Sequence, residues 1–419
     1  MNKILLVLTG GTICSFGDED NLNRDVDVVK ANRLIIDNFR NSDSIYRDCE
    51  FETDIVLDVL SENMTVENWN VLIDYLRNKD TCGYSGIIIT HGTDTLAYSA
   101  SLISILLSDK DIPVFIVSSN MPLNMKEANG NANFRIAVES IGLKIAPLVY
   151  VPYRNSDGVM YLHNAAHLMQ CVNYKDDFKS YDMIKMPRNI TKENVKYAEK
   201  SFLKNIIEYR QRCDNCNDNQ STHNCDEYND KESRHNYDEY NDKESRHNYD
   251  EYNDNEHRHN CDKYNDNQSK HNCDNRFLAD LKHIKCLKKN VLFIKPYVGI
   301  DYSAFNLENI KAVVHSMYHS MTACTGENED NPESDSILYL LDKCRSKNIA
   351  FITEPAKTDI CKYVSSDKVL GAGAMPVYGM TSEMTYVKTL LAAAIYENPK
   401  DIYRFVNADL CGEFVAFDK

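Results

Sequence analysis

Three side chains able to do chemistry stand where apolar runs stop. Thr12 follows Lys3-Ile4-Leu5-Leu6-Val7-Leu8-Thr9-Gly10-Gly11, and Thr93 and Asp94 follow Gly86-Ile87-Ile88-Ile89-Thr90-His91-Gly92. A hydroxyl becomes a nucleophile when a neighbour takes its proton, and a carboxylate binds ammonium groups or moves protons. Glycines beside these groups let backbone N–H groups approach a ligand that a Cβ would hold off. Each run reads as a buried parallel strand feeding a tight turn. In open α/β sheets ligands bind outside the carboxyl ends of strands, so two such turns can converge on one pocket. Leu96, Ala100, Ile103 and Leu107 then recur at helical spacing. Asp94 or Thr95 therefore also suits an N-cap, which alone would account for either residue.

The elements that must position these groups alternate along the chain. Val28, Ala31, Ile35 and Phe39 have helical spacing, residues 51–60 alternate toward Ser61, and Trp69 to Leu76 has a helical pattern. Ile112 to Val117 reads as a strand, Phe134 to Ile141 as a helix and Pro147 to Pro152 as extended. Strand and helix in alternation predict a parallel sheet with right-handed crossovers, here a larger domain over residues 1–190. The polar stretch Cys14 to Asn21 predicts a mobile loop over the first strand end. Val291–Ile294, Ala312–His315 and Ile349–Thr353 are further strand candidates, with helical patterns at Ile337–Leu341 and Thr381–Ile395. They predict a smaller C-terminal α/β domain over 290–419.

Between these domains, residues 191–289 read as a linker. Its central part, about 213–274, repeats with period 12 from His223 through His235, His247, His259 and His271. Residues 211–275 hold 17 acidic and 8 basic side chains, −9 of the chain's −16 charge, and almost no aliphatic residue. Such a stretch buries too little apolar surface to offset ordering entropy, so it is expected to be disordered. Its Cys, His and Asp recur regularly, but zinc sites need ligands brought together at motif spacing and two copies have Tyr where others have Cys, so no metal is expected. The net charge argues against nucleic-acid and anionic-membrane binding, which need basic surfaces. The five-residue apolar run after Lys3 is short for a signal-peptide core, and no run approaches a membrane span of about 20 residues. A cytoplasmic protein with reduced thiols is the expectation, despite 14 cysteines.

Thr9-Gly10-Gly11-Thr12-Ile13 with His91-Gly92-Thr93-Asp94-Thr95 resembles the paired signature of the bacterial-type L-asparaginase family, closest to its cytoplasmic type I branch. Ser61-Glu62-Asn63-Met64-Thr65 with Glu67 and Trp69, then Asn129-Gly130-Asn131-Ala132-Asn133 and Met380-Thr381-Ser382-Glu383, match in the same order. The likeness extends over the chain except roughly residues 195–285. It implies a two-domain asparaginase-like fold and hydrolysis of L-asparagine to L-aspartate and ammonia, without metal or cofactor. Thr12 would be the nucleophile, with Thr93 and Asp94 two members of a proton-moving triad. Gly11, Ser61, Glu62, Thr93, Asp94 and Glu383 would bind an amino-acid amide, and the subunits would form a homodimer or homotetramer.

Two departures accompany the resemblance. The family's lysine belongs some five residues after Gly158, where this chain reads Val159-Met160-Tyr161-Leu162-His163. His163 is a chemically sensible substitute base, and a structural histidine is the other reading. No tyrosine stands between Thr12 and Asp43 to match the family's loop tyrosine. Alternatives are therefore a related amidase or glutaminase, or a catalytically weak amino-acid-binding homologue. The amidotransferase member of the same superfamily carries an additional N-terminal domain; a first strand at Lys3 and the acidic charge disfavour it.

Overall fold

The structure is a computed structural model that describes residues 3–17, 24–26, 28–218, 276–326, 332–356 and 363–415. In chain order its first part runs β1 (Lys3–Gly10), a ribbon of β2 (Ser15–Gly17) and β3 (Arg24–Val26), α1 (Val28–Arg40), β4 (Phe51–Val59), α2 (Val66–Asn78), β5 (Tyr84–Thr90) and α3 (Leu96–Leu106). It continues with β6 (Val114–Val117), α4 (Gly130–Gly142), β7 (Val149–Arg154), β8 (Met160–Asn164), β9 (Leu168–Met169), β10 (Lys179–Ser180), β11 (Ile184–Met186) and α5 (Lys192–Asp218).

Successive strand residues point to opposite faces, so β1 can be apolar throughout only if both faces are covered. They are. Ile4, Leu6 and Leu8 enter one core with α1, α4 and α5, and Leu5 and Val7 enter another with α2 and α3. All five are fully buried, each contributing about 1.5–3 kcal/mol. The seven-stranded sheet has the order β11-β8-β7-β6-β5-β1-β4. It is parallel from β4 to β7, and β8 and β11 pair antiparallel. The chain leaves β1 for β4 on one side and then places β5 on the other, which makes β1 the switch point where such sheets bind ligands.

The second part contains a short helix α6 over 276–281, β12 (Val291–Ile294), β13 (Ala312–Ser316), α7 (Ile337–Ser346), β14 (Ala350–Ala356), α8 (Val364–Gly371), β15 (Met375–Tyr378), α9 (Ser382–Ile395) and α10 (Pro399–Val406). β12 to β15 form a four-stranded parallel sheet in sequence order. The two-domain α/β expectation therefore matches the fold. The packed units reach beyond residues 1–190 and 290–419: Val195, Ala198 and Phe202 of α5 join the first core, and Phe277, Leu281, Ile284 and Leu287 join the second. α5 runs to Asp218, into the start of the repeat segment expected to be disordered. The period-12 repeats themselves lie outside the described residues. Ser15–Gly17, part of the expected mobile loop, pairs with Arg24–Val26 instead. No helix among the described residues is long and apolar enough to cross a membrane.

The two domains meet through α3 and α9. Leu102 and Ile105 share a core with Met384, Val387 and Leu391, and Tyr98 meets Tyr386 edge to face at 5.8 Å. A polar tie lies nearby. His167, fully buried, places Nδ1 2.9 Å from Asp182 Oδ2 and Nε2 2.9 Å from the Gly412 carbonyl. Both partners are acceptors, so both ring nitrogens must donate and the imidazolium is the fitting form. Burial alone would lower its pKa; the charge and hydrogen bond of Asp182, with the Gly412 carbonyl, raise it above the ordinary value. The same C-terminal loop holds the buried Lys388–Glu413 pair.

A raised folded-state pKa means that His167 stabilises fully below its unfolded value of about 6.5 and ceases to as pH rises through the folded value. His167→Gln should therefore lower the melting temperature most near pH 6, with the gap to wild type narrowing as pH rises. A gap independent of pH would show that the ring is held neutral.

Candidate active site

Three loops come together at the β1 switch point, and glycine makes it possible. Gly11 has φ +81°, and a Cβ there would lie 2.3 Å from Gly92 N. A Cβ on Gly92 would lie 2.4 Å from Ser61 Oγ. The backbones that follow β1 and β5 are thus in contact, with Ser61 from the end of β4 against them. Thr9 and Thr90 tie the two strand ends: Thr9 Oγ1 donates to Thr90 O at 2.5 Å, and Thr9 N donates to Thr90 Oγ1 at 3.2 Å.

Thr12 opens a single 3-10 turn, Thr12–Cys14, braced by Cys14 N and Ser15 Oγ donating to Gly11 O at 2.9 and 3.1 Å. Thr12 itself is half-buried. The adjoining Cys14 thiol is buried and faces Thr90, and burial pushes its pKa up to about 11. A protonated, enclosed thiol is a poor nucleophile.

Asp94 is held by Ser61 on two sides. Ser61 Oγ donates to Asp94 Oδ2 at 2.8 Å and accepts from Asp94 N at 3.1 Å, while Thr95 Oγ1 donates to Ser61 O at 2.9 Å. Thr95 is the N-cap residue of α3, with no side-chain capping bond, so capping does not account for Asp94. The Asp94 residue is exposed and Thr93 half-buried. His91 lies beneath them, buried, its pKa lowered by that burial, with Nδ1 2.8 Å from Gly92 O. A neutral ring donating from Nδ1 fits that contact.

Glu62, next to Ser61, is exposed. Glu383 is buried in the first turn of α9, whose cap is Thr381. Burial, assisted by Glu354, raises its pKa above the ordinary carboxylate value against the pull of the hydrogen bonds it accepts. One of these comes from Gln170 N to Oε1, at 3.0 Å. Glu383 thus reaches the Asp94 turn through one intervening residue, within the same chain.

His163 is not brought to this place. It lies within β8, opposite Val151 of β7, with Nδ1 2.9 Å from Ser180 Oγ, and burial lowers its pKa to about 4. Two strands separate β8 from β5, three interstrand spacings or about 14 Å. The physical reason is the antiparallel return: β8 passes back down the sheet, so position 163 falls inside the ladder and not beyond its carboxyl edge. From the segment after β8, the side chain that reaches Asp94 is Gln170, whose Nε2 donates to Asp94 O. Sequence gives no local sign of it, because Gln170 follows a two-residue strand and its partners are 76 and 213 residues away.

A mainly parallel open sheet with hydroxyl and carboxylate groups gathered at its switch point, joined to a second parallel-sheet domain, defines the class: a two-domain α/β protein of asparaginase-like fold. Residues 3–201 match the family model described as Asparaginase, N-terminal. Among curated relatives, an L-asparaginase of Thermococcus kodakarensis is 30% identical over 179 residues, covering 42% of this chain and 52% of the relative. A glutamyl-tRNA(Gln) amidotransferase component of Methanococcus maripaludis is 26% identical over 162 residues, covering 36% and 38%. The matches thus span about two fifths to one half of these relatives. The solved thermostable L-asparaginase from Thermococcus kodakarensis superposes with a TM-score of 0.60 at 17% identity, covering 99% of this chain and 100% of that one. L-asparaginase I from Vibrio cholerae gives 0.58 at 17% identity, covering 99% of each. At such identities the likeness is one of fold.

Proposed function

We propose that the protein is an L-asparagine amidohydrolase that releases L-aspartate and ammonia through a threonine nucleophile. The observation that carries this reading is the mutual packing of Gly11, Ser61 and Gly92, which brings the Thr12, Ser61 and Thr93–Asp94 loops to one place at the sheet's switch point. Thr12 Oγ attacks the side-chain amide carbon, and Thr93 with Asp94 takes its proton. The Gly11 amide already donates to Val59 O at 2.9 Å and the Asp94 amide to Ser61 Oγ, so Thr12 N and Thr93 N are the oxyanion donors. The proton taken from Thr12 passes to the amide nitrogen, which departs as ammonia; water then attacks the threonine ester, releasing aspartate and returning a proton to the Thr12 oxygen.

Recognition rests on charge. Asp94, with Glu62 and Glu383 near by, favours the α-ammonium of an amino acid, and Ser61, once its hydroxyl turns from Asp94 Oδ2 to the ligand, serves the carboxylate side. Calorimetric titration with L-aspartate tests this. Wild type should bind, and Asp94→Asn should bind at least about tenfold more weakly, as expected for loss of a charge-assisted contact. Equal affinity of the two would contradict the assignment. Hydrolysis of a related amide is a second reading, favoured by the similarity to amidotransferases, and L-glutamine in the same ammonia assay separates it. We further propose a cytoplasmic homodimer or homotetramer; light scattering that finds an active monomer would contradict the oligomer.

A further inference from the structure

Gln170 hydrogen-bonds both the Asp94 turn and the second domain's Glu383, through its side chain to the one and its main chain to the other. The orientation of its amide follows from its partner. Asp94 O only accepts, so the nitrogen must face it; reversed, two acceptors would meet. Among the described residues this leaves Gln170 Oε1 buried and without a donor. A buried acceptor left unpaired is unfavourable, and in a native fold it asks for a reason. The surroundings supply one. Asp94 is exposed beside it, Glu383 is a buried acid, and an ammonium carries three N–H donors.

We infer that Gln170 is a positioning and recognition residue of the site: Nε2 fixes the Asp94 turn, and Oε1 receives an N–H of the α-ammonium of a bound amino acid. The second half rests on the amino-acid reading given above, and the first does not. Only a neutral amide serves both ends. A carboxylate at 170 would face Asp94 O with an acceptor, and an aliphatic side chain would offer neither donor nor acceptor. Gln170 thereby also registers the first domain's turn against α9 of the second domain, since Glu383 holds its main-chain N–H.

The test uses the full chain with Gln170→Met and Gln170→Glu. Amide hydrogen exchange over residues 91–96, without ligand, should quicken by about tenfold in Gln170→Met while the melting temperature stays within a few degrees of wild type. In Gln170→Glu the excess over wild type should shrink as pH falls and the new carboxyl regains a donor. L-aspartate should bind Gln170→Met about tenfold more weakly than wild type, whereas succinate, which lacks the ammonium, should show no such difference. Unchanged exchange at 91–96, or exchange that rises throughout the chain with a large fall in melting temperature, would overturn the positioning role. An equal loss for succinate and L-aspartate would overturn the ammonium contact. A wild type that binds neither L-aspartate nor L-asparagine would instead defeat the proposed function, and the exchange result would still decide the role of Gln170 at the turn.

Discussion

Thr12→Ala should reduce ammonia release from L-asparagine by about a thousandfold or more, because the attacking oxygen is removed while the surrounding donors and acceptors remain. The substitution deletes a hydroxyl from a half-buried turn whose bracing bonds come from Cys14 N and Ser15 Oγ. Folding should therefore be nearly unaffected, within about 0.5 kcal/mol as for substitutions away from a core or cap. L-aspartate should still bind, since its α-groups are met by Ser61 and Asp94. Steady-state kinetics beside calorimetry check this. A variant that keeps turnover would remove Thr12 from the chemistry, whereas one that loses turnover and binding together would give it a binding role.

Gly11→Ala should damage stability and site at once. The new methyl would stand 2.3 Å from Gly92 N and 2.5 Å from Gly92 Cα, both backbone atoms, at a φ of +81° that side chains disfavour. Backbone strain and overpacking of this kind cost roughly 3–5 kcal/mol together. The β1 and β5 loops would have to part, carrying Thr12 away from Thr93. A fall in melting temperature of roughly 10 °C, with L-aspartate binding lost, is the expected result. A variant with wild-type melting and binding would show that the two loops are not packed as described.

The parts legible in the sequence are those in which local pattern and tertiary role coincide. Ile4–Leu8 of β1 and Ile87–Ile89 of β5 are unbroken apolar runs because both faces are buried, and the glycines that follow mark where two backbones touch. The same holds for Ser61, which ends an alternating strand and meets Asp94. α5 is less legible, although Val195, Ala198, Phe202 and Ile206 keep helical spacing on its buried side. Lys196, Lys200 and Lys204 on other positions make the segment look like part of the linker. β8 to β11 are short, and their register depends on the turn after Arg154, so the inward position of His163 has no local signature. Gln170 is least legible of all, since what defines it is two contacts far along the chain.

Amide hydrolysis at the Thr12 site is tested most directly by a time course of the purified 419-residue chain with L-asparagine, with ammonia and L-aspartate measured together. Wild type should release both in equimolar amounts, and Thr12→Ala should release neither above background. L-asparagine recovered intact from wild type that nonetheless binds L-aspartate would contradict hydrolysis and leave an amino-acid-binding protein in its place.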